Sequence, residues 1–279
     1  MEKEEIEQKN KVEIKYEDSF VAFLDVLGFT NFVQNNKIDK INLYLEKVEE
    51  MITLIKESLN SIEYSKNINF IVISDSIIIS IPRSNDISDI KILQSLCIAI
   101  YHIQSYLAIY DILLRGAISS GESYFNEDKN QIIGKAYINA YLLESKFVSN
   151  PQVIIDNKII KELGFSNSKD FIDNINSLTN ESNLLYVWNN TNYIKKDFPL
   201  FINYLDFFIH KPKNSSKDNI DEKIEIDSLE EIVKNIENNI YSKVELYSKY
   251  KWLTDYALSL IDKSQNDKFN EFKERLEKL

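Results

Sequence analysis

The sequence predicts an α+β protein in which helices lie against a mainly antiparallel sheet, with a helical extension at the C-terminal end. Two observations carry this. Short β-branched runs alternate with long stretches whose apolar residues recur every three or four positions. Their order up to residue 156 is strand–helix–strand–strand–helix–strand–strand–helix–strand. The hydrophobic share, 44% of 279 residues, suits an ordinary buried core.

The first 17 residues are charged and read as a solvated leader. FVAFL (20–24) is a continuous apolar run, as expected of a strand buried on both faces. Gly28 permits a turn, after which Ile38, Ile41, Leu45, Val48, Ile52, Ile55 and Leu59 mark the inner stripe of a helix. NFIVISDSIIISI (69–81) reads as a hairpin with Ser74-Asp75-Ser76 at its tip. A second long helix follows over 87–109. ILLRGAISSGESYF and NQIIG predict two strands, 135–148 a helix, and QVIID a further strand. Such a layout covers one sheet face and leaves the other for a ligand or a partner subunit.

Beyond Asp156 the signal weakens. LLYVWNNTNYI suggests a hairpin turning at Asn189 and Asn190, and 211–228 is polar enough for an exposed loop. The remainder reads as helix with Val244, Tyr247, Tyr250, Leu253 and Ala257 on one side. The aromatic stripe Tyr247, Tyr250, Trp252 and Tyr256 reads as core packing. The expected organisation is a leader (1–17), a catalytic domain (18–210), a polar loop (211–228) and a helical extension (229–279).

Composition excludes several classes of function. A net charge of −11 lacks the concentrated Lys and Arg of a nucleic-acid binder. A nucleotide ligand stays open, because bound metal ions can neutralise both carboxylates and phosphates. The single cysteine, Cys97, rules out a disulfide framework and lies in an apolar run, which predicts a buried thiol. His102 and His210 are isolated and read as structural or surface residues. With no signal-peptide core and no apolar run approaching the ~20 residues of a membrane span, a cytoplasmic protein without membrane partners is expected.

Four of the five glycines (Gly28, Gly116, Gly121, Gly134) cluster with the candidate polar residues, which points to a site. Asp25 ends the first strand just before the Gly28 turn. Backbone N–H groups of Leu27, Gly28, Phe29 and Thr30 at such a helix start can receive phosphate oxygens; alternatively Asp25 caps the helix. Asp75 sits at the hairpin tip, where turn chemistry alone could explain it. Two carboxylates on neighbouring strands could hold one or two Mg²⁺ or Mn²⁺ ions with room for phosphate oxygens. Arg115 either pairs with a core carboxylate or clamps a nucleotide phosphate.

In series, FLDVLGFT (23–30), Ser74-Asp75, RGAISSG (115–121) and the segment from Gly134 to Leu142 resemble the class III nucleotide cyclases. The resemblance implies a ferredoxin-like cyclase catalytic domain. It also implies that Asp25 and Asp75 hold two divalent ions, and that Arg115 contacts the triphosphate of a nucleoside triphosphate substrate. It implies a homodimer with shared sites.

The departures from the family are specific. Ile71 and Gln131 occupy the positions that read a purine base, and an apolar residue with a neutral amide should not read adenine or guanine in the usual way. Ile138 stands at the transition-state asparagine position, with Asn139 one residue late, and Leu142 stands at the transition-state arginine position.

The variants AFLDVLGF, ISDSIIIS, LLRGAISSGE and GKAYINAYLLES look most like the Pycsar pyrimidine cyclases. These are bacterial antiphage enzymes whose cyclic UMP or cyclic CMP activates a separate effector. That resemblance implies a uridylate cyclase in preference to a cytidylate one. The alternatives are a purine cyclase with an atypical base pocket and an inactive cyclase fold that binds a nucleotide as a sensor.

Overall fold

A computed structural model describes residues 14–59, 67–177, 183–188, 200–210 and 219–279. Most of the expected leader, Asn189, Asn190 and residues 211–218 lie outside these ranges. The first strand, β1 (Glu17–Val26), is central because six residues in a row, from Ser19 to Leu24, are buried. It pairs antiparallel with β3 (Ser76–Pro82) on one side and with β4 (Leu114–Asn126) on the other. The sheet runs β2 (Asn69–Ile73), β3, β1, β4, β6 (Val153–Ile155), β8 (Leu200–Ile202), β7 (Leu185–Val187), with β5 (Gln131–Gly134) paired to β4. Among the described residues only β4 and β6 pair in parallel.

The β1–β4 register is held by a close approach. A Cβ on Gly116 would lie 2.4 Å from the Phe23 carbonyl oxygen. Gly116 therefore serves strand packing, which corrects the reading of it as part of a ligand site.

On the first sheet face, α2 (Ile38–Leu59) and α3 (Asp89–Ile109) cover Phe20, Ala22, Leu24, Ile79 and Ile118. The buried stripe of α2 differs from the expected one. Ile38 and Leu45 are exposed, and Tyr44 is fully buried beside Val48 and Ile55. The Tyr44 ring packs edge-on against Phe29, which turns the helix to bury the larger side chain. Helix α3 also corrects an expectation, since it is long and apolar enough to cross a membrane by composition. It packs instead as a core helix, with several of its polar side chains bonded to other elements. Gln94 donates to the Ile175 carbonyl (3.0 Å) and Ser105 to that of Tyr204 (2.7 Å).

The second face is not left open. Ala136 and Ala140 of α4 (Lys135–Phe147) pack on Val21, Phe23, Ile71 and Ile78. Farther along the sheet, Ala117, Ile154 and Phe201 are covered by α8 (Asn219–Asn239) and α9 (Val244–Ser264), through Leu229, Ile232, Trp252 and Tyr256. The expectation of one covered face thus fails because the C-terminal helices form a core with the sheet. Two shorter helices, α5 (Asn157–Glu162) and α6 (Ser168–Ser177), join the first-face core.

Details of the second half differ as well. Helix α8 begins at Asn219, inside the expected loop, because Glu and Lys around Ile224 and Ile226 favour helix and run into the buried stripe from Leu229. Leu185–Val187 pairs with Leu200–Ile202, while the turn and return strand of the expected hairpin lie outside the described residues. Tyr250, Leu253 and Ala257 point inward on α9, but Val244 is 90% exposed and Tyr247 is exposed and stacked on Tyr241. Trp252 and Tyr256 are buried against Phe201, at ring separations of 5.4 and 5.1 Å.

Candidate functional site

The sheet brings Asp25 and Asp75 together at one end. Asp75 occupies the two-residue turn between β2 and β3, where Ser74 adopts φ 57°. A positive φ at this position matches the twist of a tight hairpin. The Val26 N–H donates to the Asp75 carbonyl (3.1 Å), tying the turn to the end of β1. The two carboxylates adjoin closely enough to act on one another. Burial raises the pKa of Asp25, Arg115 opposes this, and Asp75 adds to it through its charge and a side-chain hydrogen bond.

Arg115 lies directly across from Asp25 in the register. Its Nε and Nη2 both donate to Asp25 Oδ2 (3.1 and 3.0 Å), and its Nη1 donates to the Val148 carbonyl (3.3 Å). Glu144 Oε1 lies 2.7 Å from Nε as a charge contact without an aligned hydrogen bond. Of the two roles open to Arg115, the structure shows the pairing with core carboxylates.

Glu144 is a residue the motif reading missed. Its side chain is 3% exposed, and burial pushes its carboxyl up to about 7, with Arg115 opposing and Asp25 and Asp75 contributing. The available signal was its spacing: Glu144 follows Ala136 and Ala140 by eight and four positions, so it sits on the inward face of α4. Two further residues reach the pair from distant elements. Burial and then Arg115 lower the pKa of Lys249 on α9, and Asp25 raises it. Burial, Asp75 and Asp25 all raise the Tyr44 hydroxyl, which finds no hydrogen-bond partner among the described residues. Nothing in the local sequence of α2 or α9 marks either residue.

The turn after β1 offers fewer donors than expected. The Leu27 N–H is taken by the Leu113 carbonyl (2.9 Å), which removes Leu27 from the phosphate-binding set. Gly28 adopts φ 81° and opens the six-residue helix α1 (Phe29–Gln34) without a side-chain cap, so Asp25 is not its cap. Backbone N–H groups of Gly28, Phe29 and Thr30 carry no backbone partner among the described residues.

Other expected site residues stay apart. Ile71 is sealed in the apolar cluster beneath α4, whereas Gln131 is exposed at the start of β5. Asn139 is half-buried on α4 and makes no hydrogen bond to Asp25, Asp75 or Arg115. Ile138 and Leu142 are exposed. Cys97 is fully buried, which pushes its thiol up to about 12. His102 packs edge-on against Tyr101, and His210 Nδ1 lies 2.5 Å from Asp206 Oδ1. These three residues lie outside the site.

Among the described residues no group of three or more His, Cys, Asp or Glu side chains gathers to hold a metal. Two adjacent carboxylates nevertheless fit a hard divalent cation that keeps waters and takes its other ligands from phosphates, the usual habit of Mg²⁺.

No sequence-family profile and no characterised protein matches the chain by sequence. By backbone shape it is similar to the crystal structure of the adenylyl cyclase CyaB from P. aeruginosa, with a TM-score of 0.39 and 17% sequence identity. That alignment covers 56% of this chain and 92% of the other.

Proposed function

We propose that the protein is a metal-dependent nucleotidyl cyclase with a ferredoxin-like catalytic domain. It converts a pyrimidine nucleoside triphosphate, UTP in preference to CTP, to the 3′,5′-cyclic monophosphate and pyrophosphate. The observation that carries the reading is the meeting of Asp25 and Asp75 at adjoining strand ends with Arg115 opposite. The motif resemblance adds a role in antiphage signalling through a separate cyclic-nucleotide-responsive effector.

In the reaction the substrate's 3′-oxygen bonds to its own α-phosphorus as the bond to pyrophosphate breaks. Two divalent ions, Mg²⁺ or Mn²⁺, would be held by Asp25 and Asp75 and would supply positive charge that acidifies the 3′-hydroxyl and neutralises the leaving phosphates. Arg115 opposes the burial and the neighbouring charge that raise Asp25, and so favours its ionised form. Glu144 shares the same guanidinium and holds it against the sheet. Gly28, Phe29 and Thr30 present backbone donors to phosphate oxygens. The sealed Ile71 and the exposed Gln131 supply no purine-reading pair, which supports a pyrimidine over the purine alternative. The exposed Ile138, Tyr141, Leu142 and Phe147 of α4 give an apolar face for a second copy, as a homodimer requires.

A second reading, a nucleotide-binding sensor without turnover, is favoured by the exposed Leu142 and the unengaged Asn139. Incubation of the full chain with each of the four ribonucleoside triphosphates and Mn²⁺, with products identified by mass spectrometry, separates the readings. Cyclic UMP is the expected main product. No cyclic nucleotide from any substrate, with nucleotide binding intact, selects the sensor; cyclic AMP or GMP overturns the pyrimidine assignment.

A further inference from the structure

A cavity of about 890 Å³ opens beside the carboxylate pair, between the Gly28 turn and helices α8 and α9. Its volume is that of a small-ligand cleft. Four lysines line it: Lys37 and Lys40 at the start of α2, and Lys243 and Lys249 at the head and in the second turn of α9.

In a chain with 44 acidic and 33 basic residues, lysines should find carboxylates easily. Lys37, Lys243 and Lys249 nevertheless make no ion pair among the described residues. Lys37 sits over the Phe32 ring at 5.9 Å, and Lys243 Nζ reaches only Asn31 Oδ1 at 3.4 Å. Lys40 donates to the Tyr110 carbonyl (3.1 Å) and lies 3.9 Å from Asp111.

Two carboxylates share the lining. Asp111 is engaged by the Tyr250 hydroxyl (2.7 Å) and the Asn239 amide (3.3 Å), and Glu245 is exposed. The positive charge around the cavity therefore exceeds the negative, and Lys249 carries part of it half-buried, where burial and Arg115 work against its charge and Asp25 supports it. Several amines spread along one cleft match an anion with several charges along its length, rather than a single carboxylate. The acidic surface elsewhere disfavours a long nucleic acid.

We propose that this cavity binds a polyphosphate anion, with Lys249, Lys243 and Lys37 as its charge contacts. Two sources share that chemistry: the phosphate tail of a nucleoside triphosphate seated at Asp25 and Asp75, or a free inorganic polyphosphate. The site stands on the cavity; only the assignment to a substrate's tail rests on the cyclase reading.

Calorimetric titration of the full chain with inorganic tripolyphosphate, in EDTA at low salt, tests the site. The wild type binds, and Lys249→Ala and Lys243→Ala each weaken binding by about tenfold or more. Lys169→Ala, the same charge change on the exposed face of α6, leaves it unaltered. Melting curves identify any variant that fails to fold, and Lys243, exposed at the helix head, keeps the test open if Lys249→Ala does. No binding by the wild type, or equal weakening by Lys169→Ala, overturns the proposal. Repeating the titration with saturating UTP in EDTA assigns the source. Lost tripolyphosphate binding identifies the nucleotide's tail, unchanged binding identifies a free polyphosphate, and both keep the site. A turnover assay without product would end the cyclase reading and leave the calorimetric result standing.

Discussion

Two neighbouring regions of the molecule carry opposite imbalances of charge. At the strand ends Asp25 and Asp75 adjoin and their charges also act on Glu144, with Arg115 bonded to Asp25 and touching Glu144. In the adjoining cavity four lysines face Asp111 and the exposed Glu245. Lys249 stands between the two, its amine sensed by both Asp25 and Arg115. Each region by itself looks poorly solved, because buried like charges raise one another's cost. A ligand bringing cations to the first region and phosphates to the second balances both. The contrast therefore teaches more about the ligand than either region alone.

The sharpest way to break this comparison is to remove the acidic half. Asp25→Ala and Asp75→Ala are each expected to lower cyclase turnover on the order of 10³-fold with little change in melting temperature. Near-normal rates in either variant would remove the metal assignment and with it the reason for the acidic imbalance.

The next test titrates the imbalance. The Glu144 carboxyl is raised from an ordinary 4.5 to about 7 in the folded chain. Its folded pKa exceeds its unfolded one, so the stability it contributes is fully present below about 4.5 and is lost as pH rises through about 7. Asp25 is raised too and acts in the same direction. Urea unfolding in EDTA should therefore show wild type losing roughly 3 kcal/mol more than Glu144→Gln between these limits. Identical pH profiles for the two proteins would show that Glu144 is not held as described.

The smallest effect concerns Tyr44. Its hydroxyl is buried, unbonded among the described residues and close to both aspartates. Tyr44→Phe is expected to stabilise the protein by up to ~1 kcal/mol in chemical unfolding, by removing a desolvated polar group. A loss of stability would mean that the hydroxyl bonds to a water or an ion beside the carboxylates.

The first half of the chain was the more legible. Its hairpins β2–β3 and β4–β5 join strands adjacent in sequence, and the two-residue turn at Ser74-Asp75 follows from β-branched runs on either side. The β7–β8 pairing was hidden because Leu200–Ile202 is too short to announce a strand by period. In the site, Asp25, Asp75 and Arg115 could be picked out by residue type, but the bond from Arg115 to Asp25 spans 90 positions, and no local pattern foretells it. Lys249 and Tyr44 come from helices whose periodicity gives the inward face, not what lies at its end. Gly116 misled for a related reason: the close approach it permits is to another strand of the same chain.

The apolar helix α3 has a consequence for how the chain is made. Its 21 residues are translated before β4, β6 and β8, which complete the sheet it packs against. At about 5–20 residues per second, the nascent chain carries a segment hydrophobic enough to be mistaken for a membrane anchor for several seconds. Gln94, Gln104 and Ser105 interrupt that segment, and their final partners, the carbonyls of Ile175, Leu114 and Tyr204, are all synthesised later. Until those carbonyls exist, the three polar side chains raise the cost of placing the segment in lipid.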